Sequence, residues 1–286
     1  SDIILICDTW LFESRVPSIV TMLRGILKEE IIIIGPDKDL HSGMYGGIST
    51  NPARLLTNVL SALHDKDGTV TIPGFYDGVS ELSQNIKDQW ESLNFKHDQF
   101  LSDVGLSIPA GEKGRSPLEM IWSRPTCEIN GINSGYINEG FKTVLPSQAS
   151  AKISFRLVGN QDPLKIRKSF REMIQNLVPI DCKVTFLEHE ASKASQMDTS
   201  SPEFEKAREA ISEEWGTEAA FVGCGGSIPI AGHFQQITGV DPMLIGFAKE
   251  DDQIHSPNEK YDLESFRKGI RSWVRVINSF SELQNV

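Results

Sequence analysis

Between residues 26 and 190 the apolar pattern changes its period in a set order: strand, helix, strand, strand, helix, strand. That order restricts the fold more than any other feature of the sequence. Residues 26–35 read as a strand, after which Leu55, Leu56, Val59, Leu60 and Leu63 recur at helical spacing behind a capping Asn51 and a helix-starting Pro52. Residues 127–136 and 149–158 have strand character, the second alternating through Ala151, Ile153, Phe155 and Leu157. Leu164, Ile166, Phe170, Met173, Ile174 and Leu177 form a helical stripe that stops before Pro179, and residues 182–187 alternate again as a strand. Residues 70–124, with Pro73-Gly74, an amphipathic piece near Trp90 and a loop at 111–117, read as an insertion within this unit. A sheet covered by two helices in this order is the ferredoxin-like split βαβ arrangement.

The flanks have another texture. Residues 3–7 read as a fully buried strand, followed by Asp8 and a loop through Arg15 and Pro17. After the ferredoxin-like unit, Ser201-Pro202 starts a helix through Trp215, residues 219–222 and 243–247 are strand-like, and Cys224-Gly225-Gly226-Ser227 is a tight turn. Leu263, Phe266, Ile270, Trp273, Val274 and Ile277 mark a long final helix with Asp262 as its N-cap. Helices alternating with apolar strands imply a parallel α/β sheet. The expected fold is therefore an α/β domain, residues 1–23 and 198–286, interrupted by a ferredoxin-like α+β unit, residues 24–197. The chain opens at Ser1 directly into a strand, and is expected to be a piece of a longer protein.

Composition narrows the function. With 28 basic against 39 acidic residues the net charge is −11, a poor match to nucleic acid, and the longest apolar runs, such as residues 31–34, are far short of the ~20 residues of a membrane span. Neither nucleic acid nor a membrane is an expected partner. Cys7, Cys127, Cys182 and Cys224 form no Cys-x-x-Cys pair and read as buried, reduced thiols. No leader-type start is visible, and a cytoplasmic location is expected.

A few positions could carry chemistry. Asp8 lies at the carboxyl end of a strand, where side chains of open α/β sheets gather around ligands, although by spacing alone it is more simply a loop or capping residue. His255 sits among Glu250, Asp251, Asp252 and Glu259, a setting for a metal ligand or for a solvated acidic loop. His41, in Asp39-Leu40-His41-Ser42-Gly43, is by itself more simply a turn histidine. Gly225-Gly226-Ser227 could form an anion-binding nest but has neither the lysine of a phosphate loop nor the spacing of a nucleophile elbow. The pairs Glu29-Glu30 and Glu213-Glu214 read as solvent-facing.

Taken together, six segments resemble the co-catalytic di-zinc peptidase family of carnosinase-type dipeptidases, glutamate carboxypeptidases, and acetylornithine and succinyl-diaminopimelate deacylases. They are Asp39-Leu40-His41-Ser42-Gly43 with Gly46-Gly47, Ile72-Pro73-Gly74-Phe75-Tyr76-Asp77, Lys142-Thr143-Val144-Leu145-Pro146, Phe155-Arg156-Leu157-Val158, Gly225-Gly226-Ser227-Ile228-Pro229 and His255-Ser256-Pro257-Asn258-Glu259. They occur in family order, and the dipeptidase branch is the nearest. The resemblance implies a zinc-binding α/β domain, a ferredoxin-like lid that makes a homodimer, and two zinc ions, with manganese or cobalt as alternatives. It implies Asp8 and His255 as metal ligands, one to each ion, and His41 as a catalytic donor to the oxyanion in the partner subunit's site. Thr143, Arg156, Gly226 and Ser227 would hold the substrate's carboxylate, with His189 a further substrate-site residue.

The substrate implied is a short peptide with a free carboxylate; an N-acyl amino acid, cleaved by a deacylase, is the alternative. The family's remaining ligands precede the strand that carries Asp8 and have no counterpart in these 286 residues. A zinc ion needs about three protein ligands, so the isolated chain is expected to be inactive and to bind zinc weakly. A non-catalytic dimerisation module is thus the rival from another class. Cys224 stands where carnosinase-like relatives usually carry Glu, which bears on substrate preference.

Overall fold

A computed structural model describes residues 3–283. In chain order the elements are β1 (Ile4–Ile6), β2 (Ser18–Leu23), β3 (Gly25–Ile34), β4 (Leu40–His41), α1 (Ser42–Tyr45), α2 (Pro52–Ser61), α3 (Gln84–Ser92), α4 (His97–Ser102), α5 (Pro117–Trp122) and β5 (Thr126–Ser134). The second half contains β6 (Val144–Leu145), β7 (Gln148–Leu157), α6 (Pro163–Leu177), β8 (Lys183–Ser192), β9 (Ser195–Gln196), α7 (Pro202–Trp215), β10 (Ala220–Cys224), α8 (Pro229–Thr238), β11 (Pro242–Ile245) and α9 (Leu263–Leu283). None of the described helices is long and apolar enough to cross a membrane.

Strands β3, β5, β7 and β8 form an antiparallel sheet in the order β5-β7-β3-β8, with α2 and α6 on one face, which is the ferredoxin-like arrangement. Along β7 the residues Ala149, Ala151, Ile153, Phe155 and Leu157 are buried while their neighbours are not, as a one-sided sheet requires. Leu56, Val59 and Leu60 of α2 and Ile166, Phe170 and Ile174 of α6 close the layer, Phe155 meeting Phe170 edge-on at 5.3 Å. The side chains of Asn51 and Asp162 accept from first-turn amides and start these two helices where the sequence pattern placed them.

The same alternation corrects one expectation. On β3 the inward positions are Leu27, Glu29, Ile31 and Ile33, so Glu29 faces the helices and is buried instead of solvent-facing. Arg167 and Arg171, one turn apart on α6, meet its carboxylate at 2.7 and 2.8 Å. Glu214 is corrected in the same way: its side chain is 7% exposed, held at 2.6 and 3.1 Å by Arg271 and Arg275 of α9. Glu30 is half-buried, and Glu213 is exposed.

The second sheet has the order β1-β11-β2-β10, with β9 added to β2. It is mixed, not parallel as expected. β1 with β11 and β2 with β10 are parallel, but β2 runs antiparallel to both β11 and β9. β2, for which the sequence pattern suggested no element, is the strand that leads into the inserted unit, and β9 is the one that returns from it. Ile19, Val20, Leu244 and Ile245 are fully buried there. The core of this sheet also takes Trp90 of α3 and Leu118 and Trp122 of α5, from the segment read as an insertion, the two indoles lying edge-on at 4.9 Å.

Two glycines mark close crossings. A Cβ on Gly25 would lie 2.5 Å from the Ser192 carbonyl oxygen, so only glycine lets the outgoing and returning strands pass at the junction of the two units. A Cβ on Gly246 would overlap the backbone of Thr9, which brings the residues after β1 and β11 together. Of the four cysteines, Cys127, Cys182 and Cys224 are buried, while Cys7 is exposed, because β1 is an edge strand whose residues are only half covered.

Candidate active-site cleft

Asp8 follows β1, and the loop containing His255 follows β11, its parallel neighbour; the common strand direction delivers both to one end of the sheet. They line a single cleft of about 880 Å³ with Cys224, Gly226, Ser227 and Trp10. The two side chains on which a shared cation would depend are therefore not on opposite faces.

The loop carrying His255 is held in an unusual shape. Gln253, His255 and Asn258 have φ values of 56°, 61° and 65°, a left-handed conformation uncommon for residues with a Cβ. Its anchor is Asp252, which is 1% exposed: its carboxylate accepts from the Lys249 amide at 2.8 Å and from Lys260 Nζ at 3.0 Å. Backbone strain over-determined by such contacts is a common property of functional loops.

Across the cleft, the turn after β10 is tied to the inserted unit. Arg24, between β2 and β3, donates from its backbone N–H to the Gly226 carbonyl at 3.1 Å and from Nε to the Gly225 carbonyl at 2.9 Å. Ser227 Oγ donates to the Arg24 carbonyl and accepts from Arg156 Nη1 of β7 at 3.2 Å. Burial and the nearby Arg156 lower the Arg24 guanidinium to about 10. The Cys224 sulfur accepts from the Gly226 N–H at 3.2 Å, and burial pushes its thiol up despite that contact and the two arginines. Cys224 is thus a protonated wall of the cleft at neutral pH, not a thiolate.

Sequence inspection did not single out Arg24. The available signal was the Arg24-Gly25 pair where one pattern gives way to the other, but a lone arginine before a glycine carries no spacing rule.

His41 and Thr143 lie elsewhere, His41 on the small β4–β6 ladder opposite Val144 and Thr143 just before β6, its carbonyl accepting from the Ser42 N–H at 3.0 Å. His41 Nδ1 accepts from the Gly43 N–H at 3.1 Å. That bond assigns the proton of the neutral imidazole to Nε2 and leaves an exposed ring as a hydrogen-bond donor. His189 sits on β8 with its imidazole 3.7 Å from Glu30, and its carbonyl accepts from Arg167 at 2.8 Å. Neither His41, Thr143 nor His189 is among the described residues lining the large cleft.

Among the described residues no group of three or more His, Cys, Asp or Glu side chains is arranged to hold a metal ion. Asp8 and His255 have the right chemistry for a divalent cation but are too few for one. They fit as a part of a metal site and not as a whole one.

Residues 21–182 match the model of the M20 peptidase dimerisation domain. The chain is 28% identical over 286 residues to the Cys-Gly metallodipeptidase dug1 of Schizosaccharomyces pombe, covering 99% of this chain and 60% of that protein. It is 30% identical to the Candida albicans Cys-Gly metallodipeptidase DUG1 over 275 residues, 95% of this chain and 56% of the relative. The Beta-Ala-His dipeptidase of Rattus norvegicus is 26% identical, covering 99% and 58%. Among solved structures, the di-peptidase Dug1p of Saccharomyces cerevisiae superposes with a TM-score of 0.78 at 28% identity, over 98% of this chain and 59% of that one. The M20 family metallo-carboxypeptidase Sso-CP2 of Sulfolobus solfataricus gives 0.82 at 25% identity, over 96% and 63%. The chain thus spans about three-fifths of the length of these relatives.

Proposed function

The chain belongs to the M20 peptidase family, and from that premise we propose that the protein it forms is a metal-dependent hydrolase cleaving the amide bond of dipeptides with a free carboxylate. The observation that carries this reading is the cleft shared by Asp8, His255, Gly226 and Ser227, whose serine is joined to Arg156.

In this reading Asp8 and His255 are this chain's contribution to holding divalent cations, two of them, zinc first and manganese or cobalt next. A bound cation supplies Lewis-acid polarisation of the scissile carbonyl. The chain's own residues do the rest. Arg156 presents a planar guanidinium to the terminal carboxylate, and Ser227 with the backbone of Gly226 completes its cradle. His41, with its proton on Nε2, donates to the developing oxyanion of a partner subunit's site, and Thr143 beside it assists in holding substrate; such a donor contributes on the order of 3 kcal/mol. His189 stands as a weaker substrate contact, engaged as it is with Glu30. The lid pairs through its exposed apolar surface near the β4–β6 ladder, where Met44, Ile48 and Phe141 are 73%, 84% and 91% exposed.

The Asp8–His255 pair alone is too small a ligand set, so residues 1–286 in isolation are expected to retain no stoichiometric zinc and to show no turnover. The test uses the protein of relative-like length, loaded with zinc or manganese, against a panel of Cys-Gly, β-Ala-His, other dipeptides, and N-acetyl and N-succinyl amino acids. Hydrolysis of dipeptides supports the reading; cleavage of the acyl amino acids alone would make it a deacylase. Two tightly held zinc ions on the isolated 286-residue chain after dialysis would refute the shared-site reading.

A further inference from the structure

We propose that the cavity between the end of β8 and the first turn of α8 is a subsite for the acidic side chain of the substrate's carboxyl-terminal residue. The inference rests on the dipeptidase reading above and adds a preference for Asp and Glu at that position.

The cavity encloses about 410 Å³ and is lined by Arg24, Lys193, Ser227, Ile228, Gly232 and His233, among others. No Asp or Glu is among its described lining residues. In a chain with a net charge of −11 this is a selective composition: one guanidinium, one ammonium and one imidazole line the space, and the carboxylate acting on Arg24, Glu128, is not part of the lining. Many cations of this chain are held in ion pairs, as at Lys260 with Asp251 and Asp252 or Arg171 with Glu29 and Glu188. By contrast, neither Lys193 nor His233 makes an ion pair among the described residues, and both are exposed. Arg24 Nη1 is buried without a hydrogen-bond acceptor, although Nε of the same guanidinium donates to the Gly225 carbonyl. Burial, and then the like charge of Arg156, lower its guanidinium, with Glu128 opposing them in part.

Position gives the ligand. Ser227 and Ile228 line both this cavity and the large cleft, so the two spaces are separated by a single stretch of backbone. A substrate whose terminal carboxylate rests at Arg156 and Ser227 would present the side chain of that same residue at the mouth of the second cavity. The first turn of α8 adds to the field, since its N-cap residue Ile228 offers no side-chain acceptor to the leading amides. Cys224 contributes by what it is not. A carboxylate at this position would set a further negative charge beside Arg24, whereas the neutral thiol leaves the turn without one.

The shared chemistry is a carboxylate or small oxyanion, and the two sources, substrate side chain and free anion, separate in one experiment. With the metal-loaded protein of relative-like length, kcat/KM is measured for Ala-Glu and for its neutral isostere Ala-Gln. We expect a preference for Ala-Glu of at least about tenfold, the effect of ~1.4 kcal/mol of differential binding, falling to near unity in K193Q/H233Q and retained in K193R. Inorganic phosphate is expected to compete with both peptides in the unaltered protein and to lose that effect in K193Q/H233Q. Equal rates for the two peptides in the unaltered protein overturn the subsite while leaving the dipeptidase reading intact. Phosphate binding that is lost in K193Q/H233Q, without any preference for Ala-Glu, overturns the substrate assignment in favour of a free anion. Failure to cleave either peptide, or any other dipeptide, overturns the dipeptidase reading itself.

Discussion

Replacing Glu29 by Gln should loosen the inserted unit far more than a surface carboxylate would. Glu29 is 0% exposed at its side chain and accepts from Arg167 Nε at 2.7 Å, from Arg171 Nε at 2.8 Å and from Arg171 Nη2 at 3.0 Å. The two arginines are not equivalent. Arg171 is 27% exposed and can turn its head into water, so its share is discounted for screening. Arg167 is 7% exposed, and without Glu29 it retains only the half-exposed Glu188 carboxylate and the His189 carbonyl. Breaking one side of a buried pair costs about 3–5 kcal/mol, and with Glu188 still in place the lower figure, about 3 kcal/mol, applies. Hydrogen exchange at pH 7 on the amides of residues 31–33 reads this as roughly a hundredfold faster opening. The double substitution E29M/R167M removes both charges and should recover at least half of the loss, because an apolar pair needs no counter-ion. The reasoning fails if E29Q exchanges within threefold of the unaltered chain, or if the double variant is worse than the single one.

Two further outcomes are expected. Burial pushes the Glu214 carboxyl up, but hydrogen bonds from Arg271 and Arg275 outweigh it and hold the group below the ordinary carboxylate range. A depressed folded-state value means stabilisation that is complete above the unfolded value of about 4.3 and lost as the pH falls through the folded one. The packing of α7 on α9, followed by the fluorescence of Trp215 stacked on Phe247, should therefore weaken only as the pH falls below about 4, and that acid-dependent loss should disappear in R271Q/R275Q, which is weaker at neutral pH; superimposable pH curves would refute the coupling. Arg156→Lys should raise KM for a dipeptide about tenfold with little change in kcat, and should leave the corresponding dipeptide amide unaffected, since only the planar fork grips two carboxylate oxygens; an equal loss on the amide would remove Arg156 from carboxylate recognition.

Elements with a strong period were legible in the sequence. The alternation of Ala151, Ile153, Phe155 and Leu157 and the stripe of Ile166, Phe170 and Ile174 announced β7 and α6, and their burial in the structure follows the same residues. β2 was not legible, because its six residues are buried almost throughout, with β9, β10 and β11 as neighbours, and show no alternation to read. Its antiparallel relation to β11 depends on how the inserted unit is entered and left, a long-range fact that no local window contains. Glu29 was misread for a related reason: an acidic pair in a strand looks solvent-facing until α6 is known to bring Arg167 and Arg171 over it. In the cleft, Asp8 and His255 could be named from motif order, whereas Arg24 becomes visible only when the backbone of residues 224–227 folds against it.

The crossing at Gly25 works as a pivot with a linkage attached. Ser192 and Ala194 press on one side of that glycine, while the neighbouring Arg24 grips the glycine turn and Ser227 reaches across to Arg156. A displacement of the outer sheet about this fulcrum would be passed to the serine through these bonds. In the proposed reading, the tilt of the inserted unit and the position of Ser227 would then be one mechanical coordinate, and a clamp at either end would hold the other.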